Sequence, residues 1–214
     1  MKSKIKTALL GGTGKAGKYL VEQLLKQSLP FKILVRNPEK FKIVNPLIEV
    51  VLGDARDYKS IHTLLEGCQT VISTLGLGQP PSEPTLFSQA TTHILRAMQA
   101  HQISRYLLIT GLNVNTPLDK KGTKTQFATD WMHTHFPKST QDKQLEYEIL
   151  SDSKIDWTLV RLPLIEQTDE RRGIHVSLED CPGEKICATD LAYFLIEQLD
   201  SNTYVRQAPF LAND

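Results

Sequence analysis

Gly12, Gly14 and Gly17 stand in the spacing G-x-G-x-x-G within the run GGTGKAG, Gly11 to Gly17. Such a run can make a phosphate-binding turn. One glycine bends the chain tightly, the next leaves the backbone open to a pyrophosphate, and the last lets the following helix pack closely on the preceding strand. The helix start then offers free N–H groups and a positive dipole end to the anion. The spacing carries weight only where a strand precedes it and a helix follows. Here Ile5–Leu10 is β-type and Lys15–Gln27 reads as a helix, so the run predicts dinucleotide binding.

Arg36 sharpens the choice of dinucleotide. It ends the next β-like run, Phe31–Val35. Sites for NAD usually carry an acidic residue there, on the ribose 2′-hydroxyl, whereas an arginine accommodates the 2′-phosphate of NADP. Guanidinium suits that task because it is always charged and grips phosphate with a planar fork. Asn37 and Lys40 lie close enough in sequence to add hydrogen bonds or charge. NADPH is therefore expected over NADH, the alternative being a solvated arginine at a strand end.

These residues need a scaffold, and the rest of the chain supplies one. Further strands are expected near Ile48–Leu52, Thr70–Thr74, Tyr106–Thr110 and Trp157–Arg161, with a last one near Ala208–Leu211. Most are continuous apolar or β-branched runs, as in parallel sheets buried on both faces. Helical segments fall at Tyr58–Glu66, Thr85–Ala100, Thr140–Leu150 and Thr189–Leu199, with Asp57 and Ser139 as expected N-caps. This alternation predicts a single-domain α/β protein with a Rossmann-type, doubly wound parallel sheet over residues 1–214.

Two stretches break the alternation, 111–138 and 163–187. Both follow the carboxyl ends of predicted strands, the edge where ligands bind in open α/β sheets, so both are expected to wall the substrate site. Asp119–Lys124, in the first, reads as a solvated loop, and Arg161, just before the second, and Glu166 within it as an ion pair or as substrate contacts. Phe127, Trp131 and Phe136 either stack on a planar ligand or, as their roughly helical spacing favours, pack in a core. His133 and His135, two apart, do not face each other on a helix and make a poor metal pair.

Composition limits the partners. A formal charge of +1 gives no field to draw nucleic acid or an anionic membrane. No apolar run is long enough to span a bilayer, and Met1-Lys-Ser-Lys leads directly into a strand rather than a signal peptide. Cys68, Cys181 and Cys187 are odd in number and lack metal or redox spacing, which reads as reduced thiols in a cytoplasmic protein.

With these motifs in order, the chain resembles the atypical short-chain dehydrogenase/reductases of the NmrA-like and biliverdin reductase B/flavin reductase-like group. The resemblance rests on GGTGKAG (Gly11–Gly17), LVRNPEK (Leu34–Lys40), GDARD (Gly53–Asp57) and ISTLG (Ile72–Gly76). It continues through LLITG (Leu107–Gly111), DKQLEYEIL (Asp142–Leu150), IDWTLVRLP (Ile155–Pro163) and ATDLAYFLIEQL (Ala188–Leu199). It implies roles by position. Gly11, Gly12, Thr13, Gly14, Lys15, Ala16 and Gly17 would hold the pyrophosphate, and Arg36 the 2′-phosphate. Asp54 would meet the adenine, or else serve only its own turn. Leu75 and Gly76 would line the cofactor ribose through their backbone, beside Thr74 at the strand end. Lys143 would hold the nicotinamide ribose, and Thr110 matches a small hydroxyl near the nicotinamide, or is simply a β-branched strand end.

One departure bears on the chemistry. Members with the full dehydrogenase apparatus place a tyrosine one turn before the lysine, but here that residue is Ser139. A serine hydroxyl is a much poorer proton donor than a phenol. Tyr147 lies one turn after Lys143, in the reverse order. Carbonyl reduction is thereby disfavoured, as is a sugar-nucleotide epimerase. Hydride transfer to a flavin or quinone, which solvent can protonate, needs less. The expected function is an NADPH-dependent oxidoreductase acting on a small planar acceptor. The alternative is a non-catalytic NADP(H) sensor working through a protein partner, as NmrA-like regulators do.

Overall fold

The structure is a computed structural model that describes residues 5–77 and 84–213; the Met1–Lys4 segment lies outside the described residues. Its centre is an eight-stranded sheet built on β1 (Thr7–Leu10), β2 (Phe31–Val35), β3 (Ile48–Leu52), β4 (Thr70–Ser73), β5 (Arg105–Gly111) and β6 (Asp156–Leu162). Two later strands, β8 (Ile174–Ser177) and β10 (Phe210–Asn213), complete it in the order β3-β2-β1-β4-β5-β6-β10-β8. All neighbours are parallel except β10 and β8. The first six follow the doubly wound order 3-2-1-4-5-6, which reverses direction between β1 and β4.

The strands are short apolar runs because both faces are covered. Along β1, Ala8 and Leu10 join one core and Leu9 the other. On the first face lie α2 (Tyr58–Leu65), α3 (Leu86–His101) and α5 (Pro137–Asp152), contributing Ile61, Leu64, Phe87, Ile94 and Leu150. On the second lie α1 (Gly17–Lys26) and α6 (Ala188–Glu197), contributing Leu20, Leu24, Leu191 and Leu195. Each fully buried leucine or isoleucine stabilises by about 1.5–3 kcal/mol. β3 departs from the expectation of full burial. It is the sheet edge, and Val50 and Leu52 are exposed.

Several boundaries follow from capping chemistry. Asp57 caps α2 as expected, its carboxylate accepting from the backbone N–H groups of Lys59 and Ser60. Ser139 is not a cap: α5 begins at Pro137, whose missing N–H and fixed φ suit the first helical position. The stretch 111–138 contains a full helix, α4 (Thr123–His135). The stretch 163–187 is more ordered than its charge suggests. It holds β8 and a small parallel pair, β7 (Leu164–Glu166) with β9 (Lys185–Cys187). Among the described residues no helix is long and apolar enough to cross a membrane.

Candidate functional site

At the carboxyl edge of the sheet, around the reversal between β1 and β4, lies a cleft of about 780 Å³. It runs past the ends of β1 to β6, gathering Gly11 and Gly14 after β1, Arg36 after β2, Asp54 after β3 and Thr74 to Leu77 after β4. Thr110 and Gly111 end β5, Leu162, Pro163 and Ile165 follow β6, and Lys143 enters from α5. Residues far apart in sequence thus share one wall because every βα connection of a doubly wound sheet opens on the same side.

The glycine turn has the form a phosphate requires. Gly11 takes φ +76°, a region L side chains rarely adopt, and a Cβ there would fall 2.5 Å from the Thr74 carbonyl. The left-handed turn is therefore at Gly11, one residue ahead of the G-x-G-x-x-G spacing. Gly17 is the close-packing glycine, where any Cβ would run into the Gly11 carbonyl oxygen. Gly12, Ala16 and Gly17 are buried beneath the turn, whereas Thr13, Gly14 and Lys15 are exposed on it. α1 begins with no side-chain cap and no acidic residue in its first turn, so no side chain of its own opposes an anion at its positive end. These features fit a bound dinucleotide.

Around the rim the side chains divide their duties. Asp54 lines the cleft and also closes its own turn, accepting from the Arg56 backbone N–H at 2.9 Å. The Arg56 guanidinium, bonded to it, holds its carboxyl below the usual carboxylate range. Thr74 spends its hydroxyl on the structure, donating to the Leu10 carbonyl at 3.1 Å, which ties β4 to β1 beneath the turn. Thr110 does the opposite. Its Oγ1 is buried at the end of β5 and has no hydrogen-bond partner among the described residues.

Lys143 lines the same cleft, its side chain 14% exposed. Its Nζ lies 3.7 Å from the Phe87 ring centroid and 3.9 Å from Glu146 Oε2. Burial pulls its ammonium below the ordinary lysine range, while Glu146 and Asp142 oppose that shift. α3 and α5 are clamped together here. Asp142 accepts from the backbone N–H groups of Phe87 at 2.7 Å and Ser88 at 3.3 Å, and from the Ser88 hydroxyl. It thus caps α3, whose own Thr85 makes no side-chain cap. Local spacing could not reveal a cap donated by another helix. Glu146, three residues after Lys143, was visible as a helical neighbour but not as a buried one.

Other sequence expectations are corrected. Arg161 and Glu166 do not pair: Arg161 bonds Asp119 at 2.5 Å, and Glu166 bonds Arg172 at 3.0 Å. Asp119–Lys124 is not simply solvated, because the Asp119 and Lys121 side chains are only 11% and 4% exposed. Phe127, Trp131 and Phe136 do not pack in the core; all three are exposed on or beside α4, with Trp131 stacked on His135. The helix buries Thr125 and Thr129 instead. Tyr147 meets Trp157 edge-to-face and is not part of the cleft lining. Among the described residues, the stretch 111–138 contributes only Gly111 to that lining.

The fold and cleft together define a doubly wound dinucleotide-binding protein. Residues 11–202 match the family model described as NAD(P)H-binding, and the chain belongs to that family. A short-chain dehydrogenase/reductase from Veillonella parvula has the same fold, with TM-score 0.83 and 12% identity over 99% of this chain and 95% of its own. Its structure in complex with NADP gives TM-score 0.80 and 14% identity over 98% and 94%. The anaerobilin reductase ChuY of Escherichia coli O157:H7 gives TM-score 0.79 and 20% identity over 97% of each chain. In sequence, an isoflavone reductase homolog A622-like protein of Nicotiana tabacum is 33% identical over 113 residues, 49% of this chain and 34% of its own. A phenylcoumaran benzylic ether reductase of Pyrus communis is 36% identical over 88 residues, 37% and 29% of the two chains. The chain thus spans about a third of the length of these curated relatives.

Proposed function

We propose that the chain is an NADPH-dependent oxidoreductase that passes hydride to a small planar acceptor, a flavin or a quinone. One observation carries this reading. A single cleft has an anion-fitting glycine turn and Arg36 toward one part, and Thr110 and Lys143 with apolar walls toward another. In the proposed roles, the turn and the start of α1 hold the pyrophosphate and Arg36 the 2′-phosphate. Lys143 orients the nicotinamide ribose, and Thr110 supplies a hydroxyl beside the ring. Bound NADPH supplies the hydride. Leu86, Leu162, Pro163 and Ile165 exclude water and give a flat acceptor an apolar surface. The protein's part is then to orient donor and acceptor.

A second reading, a non-catalytic NADP(H) sensor with a protein partner, is favoured by one feature. No tyrosine is among the described residues lining the cleft. The test is the loss of reduced-nicotinamide absorbance with NADPH, and in parallel NADH, against FMN, riboflavin, simple quinones and a bilin. The bilin is included because of the anaerobilin reductase among the fold relatives. Acceptor-dependent loss that is faster with NADPH supports the reductase and the Arg36 assignment. Faster loss with NADH removes that assignment alone. Binding without turnover turns the reading to the sensor.

A further inference from the structure

Behind Lys143, one helical turn on along α5, a buried carboxyl has an atom to spare. Glu146 is 4% exposed; its Oε1 accepts from the Thr91 hydroxyl at 2.9 Å, and among the described residues its Oε2 has no hydrogen-bond partner. Lys143 Nζ is the cation nearest that oxygen, at 3.9 Å. The separation is too long for a hydrogen bond and short enough for strong attraction in a poorly solvated site. An unpaired buried carboxyl oxygen is costly, and its placement calls for a reason.

We propose that Glu146 is a positioning residue for Lys143, its buried carboxylate keeping the ammonium charged and held between the Phe87 ring and the cleft. The inference rests on the reductase reading above, in which Lys143 orients the nicotinamide ribose. Among the described residues, few groups face the pair. Lys143 meets Asp142 and Glu146 of its own helix and the Phe87 ring of α3. Glu146 meets Thr91 of α3, with the Tyr106 phenol of β5 beyond it at 3.3 Å from the Thr91 hydroxyl. Asp142 is already engaged by Phe87 and Ser88, which leaves Glu146 as the carboxyl with a free oxygen. With Ser139 in the place of the family's tyrosine, Lys143 has no phenol to work with, and this carboxylate is what fixes its charge. The sign follows directly: burial favours the neutral amine, Glu146 opposes it, and removing Glu146 makes Lys143 lose its proton at lower pH.

The test uses the full chain without added cofactor. Competitive acetylation of lysines across a pH series, read by peptide mass spectrometry, reports the midpoint at which Lys143 becomes a free amine. Glu146→Gln, nearly isosteric, is expected to lower that midpoint by about one pH unit, a tenfold loss of proton affinity. Glu146→Asp, which keeps the charge one methylene farther back, should fall between the two. In turnover, the alkaline limb of the Glu146→Gln pH profile should move down by the same amount, with the rate recovering on acidification. An unchanged labelling midpoint in both variants, or a loss of rate uniform across pH, overturns the proposal. A shifted midpoint in a protein that turns over no acceptor keeps the Glu146 assignment and removes the reductase reading instead.

Discussion

Two buried cation–carboxylate pairs differ in how fully their atoms are used. The Arg161 side chain is fully buried, and its guanidinium donates to the carbonyls of Ala208, Val114 and Leu178 at 2.8, 3.2 and 3.1 Å and to Asp119. It also stacks 3.5 Å from the Phe210 ring centroid. Those contacts tie the segment after β5, the segment after β8 and the lead into β10 to one strand. Lys143 and Glu146, by contrast, stand 3.9 Å apart, with Glu146 Oε2 and, at the end of β5, Thr110 Oγ1 unpartnered among the described residues. A saturated network builds the scaffold. Of the two unpartnered atoms, Thr110 Oγ1 belongs to a residue of the cleft lining, and Glu146 Oε2 stands behind Lys143, which lines the same cleft.

The largest effect expected from this contrast is on stability. Arg161→Ala leaves Asp119 without its main partner and strips the carbonyls of their donor. Breaking a buried pair in this way costs about 3–5 kcal/mol. Urea unfolding monitored by circular dichroism should show the loss as a lower midpoint, while the surviving folded protein still binds NADPH. A loss under about 1 kcal/mol would mean that the two long connections are held by something other than Arg161.

Arg36 gives the next largest effect, on binding rather than folding. A charged hydrogen bond to phosphate contributes about 1.5–3 kcal/mol, so Arg36→Ala should weaken NADPH roughly ten- to hundredfold. NADH affinity should barely move. Fluorescence titration with both cofactors decides it; an equal loss for the two would reduce Arg36 to a general contact at the rim.

Lys143→Met follows, keeping the stem and removing the charge. Turnover should fall about tenfold or more, equivalent to about 1.4 kcal/mol of barrier. Burial already pushes the Glu146 carboxyl above the usual carboxylate range, and loss of Lys143 pushes it higher. The folded state then holds a proton that the unfolded state releases near pH ~4.3, so the variant's stability should decline as pH rises above that value. Unfolding midpoints at acid and neutral pH measure the slope. A flat profile would show that Glu146 is ionised without Lys143's help.

The fold was legible where a local signal and the tertiary context agree. Phe31–Val35 and Ile48–Leu52 match their strands residue for residue, and Asp57 caps its helix, because a strand's apolar run and an N-cap are short-range patterns. The glycine turn was legible for the same reason, although its left-handed residue proved to be Gly11. What spacing could not convey was which charges would be buried together. Asp119 reaches Arg161 across 42 residues and Asp142 reaches Phe87 across 55, and nothing local to either carboxylate marks its partner. The aromatic residues of α4 misled in the opposite way. Their spacing looked like a core stripe, yet the helix turns Thr125 and Thr129 inward and leaves Phe127 72% exposed.

Thr110→Val makes the smallest change and divides the two kinds of network most finely. Valine copies the shape of threonine and deletes only the hydroxyl. Were that hydroxyl part of the scaffold, its loss would cost about 1 kcal/mol, as for an ordinary buried hydrogen bond. Because Oγ1 has no partner, the expected outcome is unchanged or slightly raised stability in urea. Turnover should nevertheless fall several-fold with little change in the KM for NADPH, since the group would act on the reacting ring and not on the phosphates. Lower stability with normal turnover would assign Thr110 to the strand it ends and remove its hydroxyl from the chemistry of the cleft.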